Sequence, residues 1–325
     1  MRAFAVILLN NLRRLFEHKP RFFLFIILSA GALAAAIFIN TRAELVGHIA
    51  VVSRSEIMLP SEHFRISRLD EAPLLSELVA GKYDAAVIFD DEGGYEIRTI
   101  KSEDFQQKLD LVLADPSQIT AAVKGARGAG TNILGFMMMF IMMQGVSLAF
   151  LFAEDKEKKQ LRRIASSPVP FTGYLCAHGI FVFALLLIPV MVILAIAQLL
   201  PGVEIGFGLP MYLALSSLIC FLSAGFGLFL TAMIKSGDLA NMAGSAIVVL
   251  TSVLAGSFYS FDKGNKVLET VIKVLPQRAF LSLAESLEKG MGISSWLSNG
   301  LYIIALITAF IMIAVVKTRR DYLKN

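Results

Sequence analysis

The chain has 325 residues, 56% of them hydrophobic and only 17% charged, with a mean hydropathy of +0.68; soluble domains carry about 25% charged residues, so the apolar excess calls for lipid as solvent and argues against a water-soluble globule. The net charge of +4 does not mark a nucleic-acid binder, because the basic residues flank apolar runs and form no aromatic-interleaved basic face. The two cysteines, Cys176 and Cys220, lie at or within apolar runs and offer neither a disulfide framework nor metal-ligand spacing.

Residues 1–20 read as an amphipathic helix in the membrane interface. Phe4, Ile7, Leu8, Leu12 and Leu15 recur at helical spacing, with Arg13, Arg14 and Glu17 elsewhere. Residues 21–40 hold the first span. Ala32-Leu33-Ala34 resembles a signal-peptide cleavage site, but the apolar run continues past it and is too long for a typical signal core, so the span is expected to stay.

Residues 41–130 change texture and read as a small extracytoplasmic α/β domain. Strands are expected at residues 48–53, 85–89 and 95–100, the last two joined by a hairpin loop at Asp90-Asp91-Glu92-Gly93-Gly94. Leu74, Leu75, Leu78 and Val79 mark a helix with Pro73 near its start and Gly81 past its end. Ser102, followed by Glu103 and Asp104, caps a second helix ending near Pro116.

Residues 131–325 supply five further spans, from apolar runs at 133–152, 180–200, 211–234, 242–258 and 296–316. With 22–39 this makes about six, none containing Asp, Glu, Lys or Arg. A charge at a span centre costs about 2.5–3.5 kcal/mol on the insertion scale, which accounts for that absence. Basic residues cluster before the first span, in the loop 154–178 and in the tail, so both termini and that loop are expected in the cytoplasm. The basic loop between the last two spans runs against this pattern and is outvoted.

The chemistry available is limited. His18, His48, His63 and His178 join no acidic cluster at metal spacing, and no catalytic or phosphate-loop motif occurs. The spans carry no ionisable coupling residue, only Gln144, Gln198, Asn241, Asn299 and hydroxyls, which weakens an ion-coupled mechanism. Methionines 137, 138, 139, 142 and 143 crowd the second span, read either as an adaptable apolar surface or as ordinary packing. Ser223, Gly225 and Gly227 read as helix-packing positions, because small residues let helices approach closely.

The loop after the second span runs Glu154-Asp-Lys-Glu-Lys-Lys-Gln-Leu-Arg-Arg-Ile-Ala-Ser-Ser-Pro-Val. It reads as a charged helix stopped at Pro168, with Leu161 and Ile164 on one face and Glu157 and Arg163 well apart around the axis. The loop resembles that of type-2 ABC exporter permeases, roughly E-x-G-T-L-x-R-L-x-x-[ST]-P-V. Glu157, Leu161, Arg163, Ile164, Ser167, Pro168 and Val169 fit, while Lys159 and Gln160 stand where that family has Gly and Thr. Further matches follow in order: Lys82-Tyr83-Asp84-Ala85-Ala86-Val87-Ile88, Gly225-Phe226-Gly227-Leu228 with Lys235-Ser236, Ala255-Gly256-Ser257-Phe258 and Leu275-Pro276-Gln277-Arg278. The last two resemble the family segment that forms short re-entrant helices between the fifth and sixth spans.

The resemblance implies the permease subunit of an ATP-driven exporter, without a cofactor or enzymatic activity of its own. Its partners would be a separate ABC ATPase, a second permease subunit (identical or a paired homologue) and the lipid bilayer. The cargo would be an amphipathic antibiotic or drug, lipid or peptide, and the loop would dock on the ATPase. A reading of another class, a membrane receptor or scaffold with an extracellular ligand-binding module, also accommodates the composition.

Overall fold

A computed structural model describes the chain except residues 1, 18, 43–46, 53–63, 70, 80–81, 90–93, 101–105, 107–108, 111–112, 114–126, 166–170, 201–202, 204, 257–265 and 324–325. It forms two compact units, residues 38–127 and the remainder of the chain.

The larger unit is helical. It opens with α1 (Arg2–Glu17) and α2 (Lys19–Arg42) and resumes with α4 (Ala129–Leu148), α5 (Phe150–Glu157), α6 (Gln160–Ala165), α7 (Phe171–Leu199), α8 (Leu209–Met233), α9 (Gly237–Leu254), α10 (Lys266–Val274), α11 (Pro276–Glu288) and α12 (Ile293–Leu323). Five stretches are long and apolar enough to cross a membrane: Ala129–Glu157, Thr172–Leu199, Leu209–Met233, Gly237–Leu254 and Ile293–Asp321. The first expected span falls in α2, whose described apolar stretch is the shorter Phe25–Phe38.

Burial ranks these helices. The apolar windows of Ala129–Glu157 and α8 are each 67% buried, against 11% for α12, so the first two form the centre and α12 the periphery. α8 packs on α4, α7, α9 and α12, while α11 lies against α4 and α12. Between lipid-facing helices the hydrophobic effect contributes little, so close packing and interhelical hydrogen bonds must hold the bundle. The amphipathic reading of α1 acquires a detail here. Asn11 and Leu15 are buried, while Val6, Leu9, Leu12 and Phe16 stay exposed on the opposite side.

The smaller unit holds β1 (Gly47–Val52), β2 (Phe64–Leu69), α3 (Leu75–Val79), β3 (Ala85–Phe89) and β4 (Tyr95–Arg98). The sheet order is β2-β1-β3-β4, with β1 parallel to both β2 and β3 and β4 antiparallel to β3. Alternation along β1 and β3 gives two apolar faces. Ile49, Val51, Ala85 and Val87 cluster with Leu109, and Ala50 and Ala86 cluster with Leu78 and Tyr83. Each fully buried aliphatic side chain contributes about 1.5–3 kcal/mol in water, enough to give so small a sheet a core. Of the helix expected from Ser102, the structure describes Gln106, Leu109, Asp110 and Leu113, all helical. Strand β2 has no counterpart among the expected elements. The hairpin loop before Gly94 lies outside the described residues, although Phe89 and Tyr95 do face each other in register.

Asp84, before β3, ties the sheet together. Its carboxylate accepts from the His48 backbone N–H at 2.7 Å, and its carbonyl accepts from Thr99 Oγ1 at 2.7 Å. Tyr83 is buried beside the His48 ring, with 5.0 Å between centroids.

Candidate functional site

The loop that carries the sequence signal is two helices, not one. α5 ends at Glu157, Lys158 caps it, and Lys159 turns left-handed with φ 57° before α6 begins. The Lys159 N–H donates to the Lys156 carbonyl at 3.2 Å, one of the two bonds of a Schellman-type helix end. The break has a packing cause. Leu161 lies nine residues after Phe152, which on an unbroken helix would put the two about 180° apart. With the break, both enter one buried cluster with Tyr174, Leu175, Leu228 and Ala232. The expected angle between Glu157 and Arg163 therefore no longer follows, since the break lies between them.

Four consecutive charges end α5; the first two share Arg14 of α1, and the last two reach the end of α8 and the start of α9. Glu154 accepts from Arg14 Nη2 of α1 at 2.6 Å and also pairs with Lys158. Asp155, buried, accepts from Arg14 Nη1 at 2.8 Å and from the Tyr174 hydroxyl, and lies 3.5 Å from His178 Nε2. His178 in turn meets Asn11 of α1, with its Nδ1 3.2 Å from the amide nitrogen. Lys156 donates to the carbonyls of Thr231 at 2.9 Å, Ala232 at 3.1 Å and Ile234 at 2.8 Å. Its ammonium has three donors, and these three acceptors use all of them. Glu157 accepts from the Gly237 N–H, the first residue of α9, at 2.8 Å.

The electrostatics match the helix ends. A cation at the C-terminus of α8 and an anion at the N-terminus of α9 both complement the local dipole charge, typically contributing about 0.3–1 kcal/mol each. Burial alone would lower the Arg14 pKa, but the hydrogen bond to Glu154 and the charge of Asp155 outweigh it and hold the guanidinium above its ordinary value. The site is thus a junction joining α5 to α1, α7, α8 and α9.

The profile of a family described as ABC-2 family transporter proteins matches residues 72–316. The chain belongs to this family. The match begins inside the smaller unit after β1 and β2 and ends within α12, so it takes in α3, β3, β4 and the helices from α4 onward but leaves out α1 and α2. Comparison with curated proteins returned no match. An ABC-2 transporter protein is a permease, the membrane subunit of an ABC transporter, generally non-catalytic, and this chain is accordingly a multi-pass membrane protein.

On this ABC-2 permease the expected docking residues fall as follows. Leu161 is buried, Ile164 is partly buried beside it, and Glu157 and Arg163 are exposed. Ser167 and Pro168 lie outside the described residues. Arg14, Asp155, Tyr174, His178 and Lys156 had no place in the expected set. A signal existed for some: Tyr174 and His178 stand four apart at the start of a span, and Asn11 and Arg14 stand three apart on α1, both one-face spacings.

The expected packing residues sit between helices. Ser223 donates to the Ile141 carbonyl of α4 at 2.7 Å. A Cβ added to Gly145 of α4 would fall 1.9 Å from Ser223 Oγ, and one added to Gly227 would fall 2.6 Å from the Gly145 carbonyl oxygen. Helices α4 and α8 therefore meet nearly backbone to backbone. Gly225 faces α12 instead, where a Cβ would find ordinary contact 3.6–3.7 Å from Ile307, Phe310 and Ile311.

The far end of α4 is fixed too. Glu288 of α11 accepts from the N–H groups of Gly130 at 2.8 Å and Thr131 at 3.0 Å, capping a helix start that has no side-chain cap of its own.

Proposed function

We propose that this ABC-2 permease is the membrane subunit of an ATP-driven exporter, whose ATPase is a separate polypeptide docking on α5 and α6. It would work with a second permease subunit, identical or a paired homologue, and carry an amphipathic antibiotic or drug, lipid or peptide outward. Both termini and the α5–α6 segment face the cytoplasm, and the smaller α/β unit lies outside. The distribution of Lys and Arg supports this orientation.

The observation that carries the docking proposal is the junction itself. A docked partner pushing on α6 would act on α5, and α5 is bonded at four successive residues to α1, α7, α8 and α9. Small displacements then pass to several helices at once, because packed interfaces move as rigid bodies. Arg163 on α6 and the solvent side of Glu157 offer charge to the partner.

The test is co-purification with an ABC ATPase from the same cells, and substrate-stimulated ATP hydrolysis, for Arg163→Glu and Glu157→Ala. Expected is loss of association or of stimulation with normal membrane insertion. A rim charge changes affinity little, whereas a buried pair at the contact is worth about 2–5 kcal/mol. If the double variant binds and stimulates like the parent, the docking surface lies elsewhere. Orientation is tested separately. Cysteine at Glu92 should react with an impermeant thiol reagent in intact cells, and cysteine at Lys158 should not.

A further inference from the structure

α6 is seated on α12 as well as on α5 and α7. Its Leu161 shares a buried cluster with Phe152 of α5, Tyr174 of α7 and Ala314 of α12, and Ile164 and Val315 pack against that cluster. α12 is the least covered of the five apolar stretches, with 11% of its apolar window buried. Yet Ala314 and Thr318 are buried, the second past the end of the apolar run. α12 is therefore held against the bundle at the end where α6 lies.

The charges at this end divide into matched and unmatched. Glu154 and Asp155 take Arg14, Glu154 also takes Lys158, and Asp321 takes Lys317. Glu157 already accepts from the Gly237 N–H. Lys159, Arg163 and Arg319 are exposed and have no ion-pair partner among the described residues. Lys159 is the left-handed residue that opens α6, Arg163 precedes Ile164, and Arg319 stands one turn after Val315 on the same face of α12. A cationic face with no internal anion to answer it fits an acidic surface.

Arg320 separates a protein surface from a lipid one. It follows the buried Thr318 by two residues, about 200° around the helix, so it stands on the far side of α12 at nearly the same depth. A headgroup layer would draw on both arginines, whereas a protein seated on α6 reaches the side of Arg319. We propose that the docking face is composite, α6 together with the end of α12, and that it takes an acidic surface of the ATPase through Lys159, Arg163 and Arg319. The proposal rests on the permease reading above and adds a second route for the motion, directly into α12.

The full-length chain and its variants, in nanodiscs of zwitterionic lipid, are incubated with the ABC ATPase that co-purifies with the parent, and the retained ATPase is measured. Parent binding should weaken about tenfold between about 50 and 300 mM salt. Arg319→Glu should weaken binding about tenfold at low salt, because reversal sets like charges together, and should flatten the salt dependence. Arg320→Glu makes the same change in net charge and should leave binding within about twofold, since it lies outside the contact. Equal effects of the two reversals overturn the proposal. So does parent binding indifferent to salt, a comparison that needs no variant to fold. If both reversals are silent in zwitterionic lipid and act alike once anionic lipid is added, the patch serves headgroups and the proposal falls. Loss of binding with Arg163→Glu but not with Arg319→Glu refutes the composite face and leaves docking on α6 intact. If no ATPase stays with the parent, the docking reading fails and this inference fails with it.

Discussion

Replacing Lys159 by glycine should make this permease more stable. Lys159 holds φ 57°, the single left-handed non-glycine residue among those described. An L-residue there costs about 1–2 kcal/mol, because its Cβ crowds the following carbonyl. Glycine removes that cost but adds freedom to the unfolded chain, a loss of about 0.4–1 kcal/mol. The net gain is about 0.5–1.5 kcal/mol, or about 1–4 °C of thermal shift for a chain of this size. The Lys159 side chain is exposed, so truncating it sacrifices little packing. The assay follows reaction of a thiol dye with Cys220, buried until the bundle opens, above the prompt reaction of exposed Cys176. Membrane proteins often unfold irreversibly, so all variants must be scanned at one heating rate. Lys159→Val should shift the other way, since a β-branched residue is poorly tolerated at positive φ. Lys158→Gly, one residue earlier at φ −76°, should gain nothing. If Lys159→Gly melts no higher than the parent, or Lys159→Val melts with it, the break between α5 and α6 is not where the strain lies.

Further outcomes follow from the same geometry and the same assay. Arg14→Ala, leaving Asp155 buried without its cation, should cost about 3–5 kcal/mol, while Arg14→Met with Asp155→Leu should recover most of the loss; a pair no better than the single variant refutes the assignment. Gly145→Ala, whose methyl would press on Ser223, should cost about 1–3 kcal/mol, with partial relief on adding Ser223→Ala. Glu288→Ala uncaps α4 and should cost about 1 kcal/mol; Glu288→Gln, keeping an acceptor, should lose less.

The spans were legible because the bilayer sets a length, and an apolar run either meets it or does not. The sheet was legible in part. Strands β1 and β3 are central and buried on both faces, so they read as unbroken apolar runs. Among the described strands β2 sits at the edge, paired with β1 alone, and its Ser67 and Arg68 interrupt the apolar run that a strand reading looks for. The loop was recognisable as a segment but not as a shape. Its break depends on Leu161 rejoining Phe152, a tertiary demand that local spacing does not express. Arg14 and Asp155 are 141 residues apart, and Glu288 and Gly130 158. No periodicity links positions so distant. The family pattern did hold one clue, since it places glycine where Lys159 turns left-handed.

The order of charges at the end of α5 has a physical logic. Helices α8 and α9 are joined by only Ile234, Lys235 and Ser236, so the negative end of one dipole lies close to the positive end of the next. A single charge from α5 would favour one end and oppose the other. Lys156 followed by Glu157 gives the cation to the carbonyls and the anion to the N–H group, and adjacency in sequence matches adjacency of the helix ends. Glu154 and Asp155 instead share Arg14 of α1, and Asp155 also accepts from Tyr174 of α7. With its ends anchored by Glu288 and by this quartet, and its middle pressed against α8 at Gly145, the helix running from Ala129 to Glu157 cannot tilt alone. A displacement of α6 would therefore reach α4, α5 and the α8–α9 turn together, through Lys158 and the strained Lys159 and through the buried cluster that Leu161 shares with Phe152.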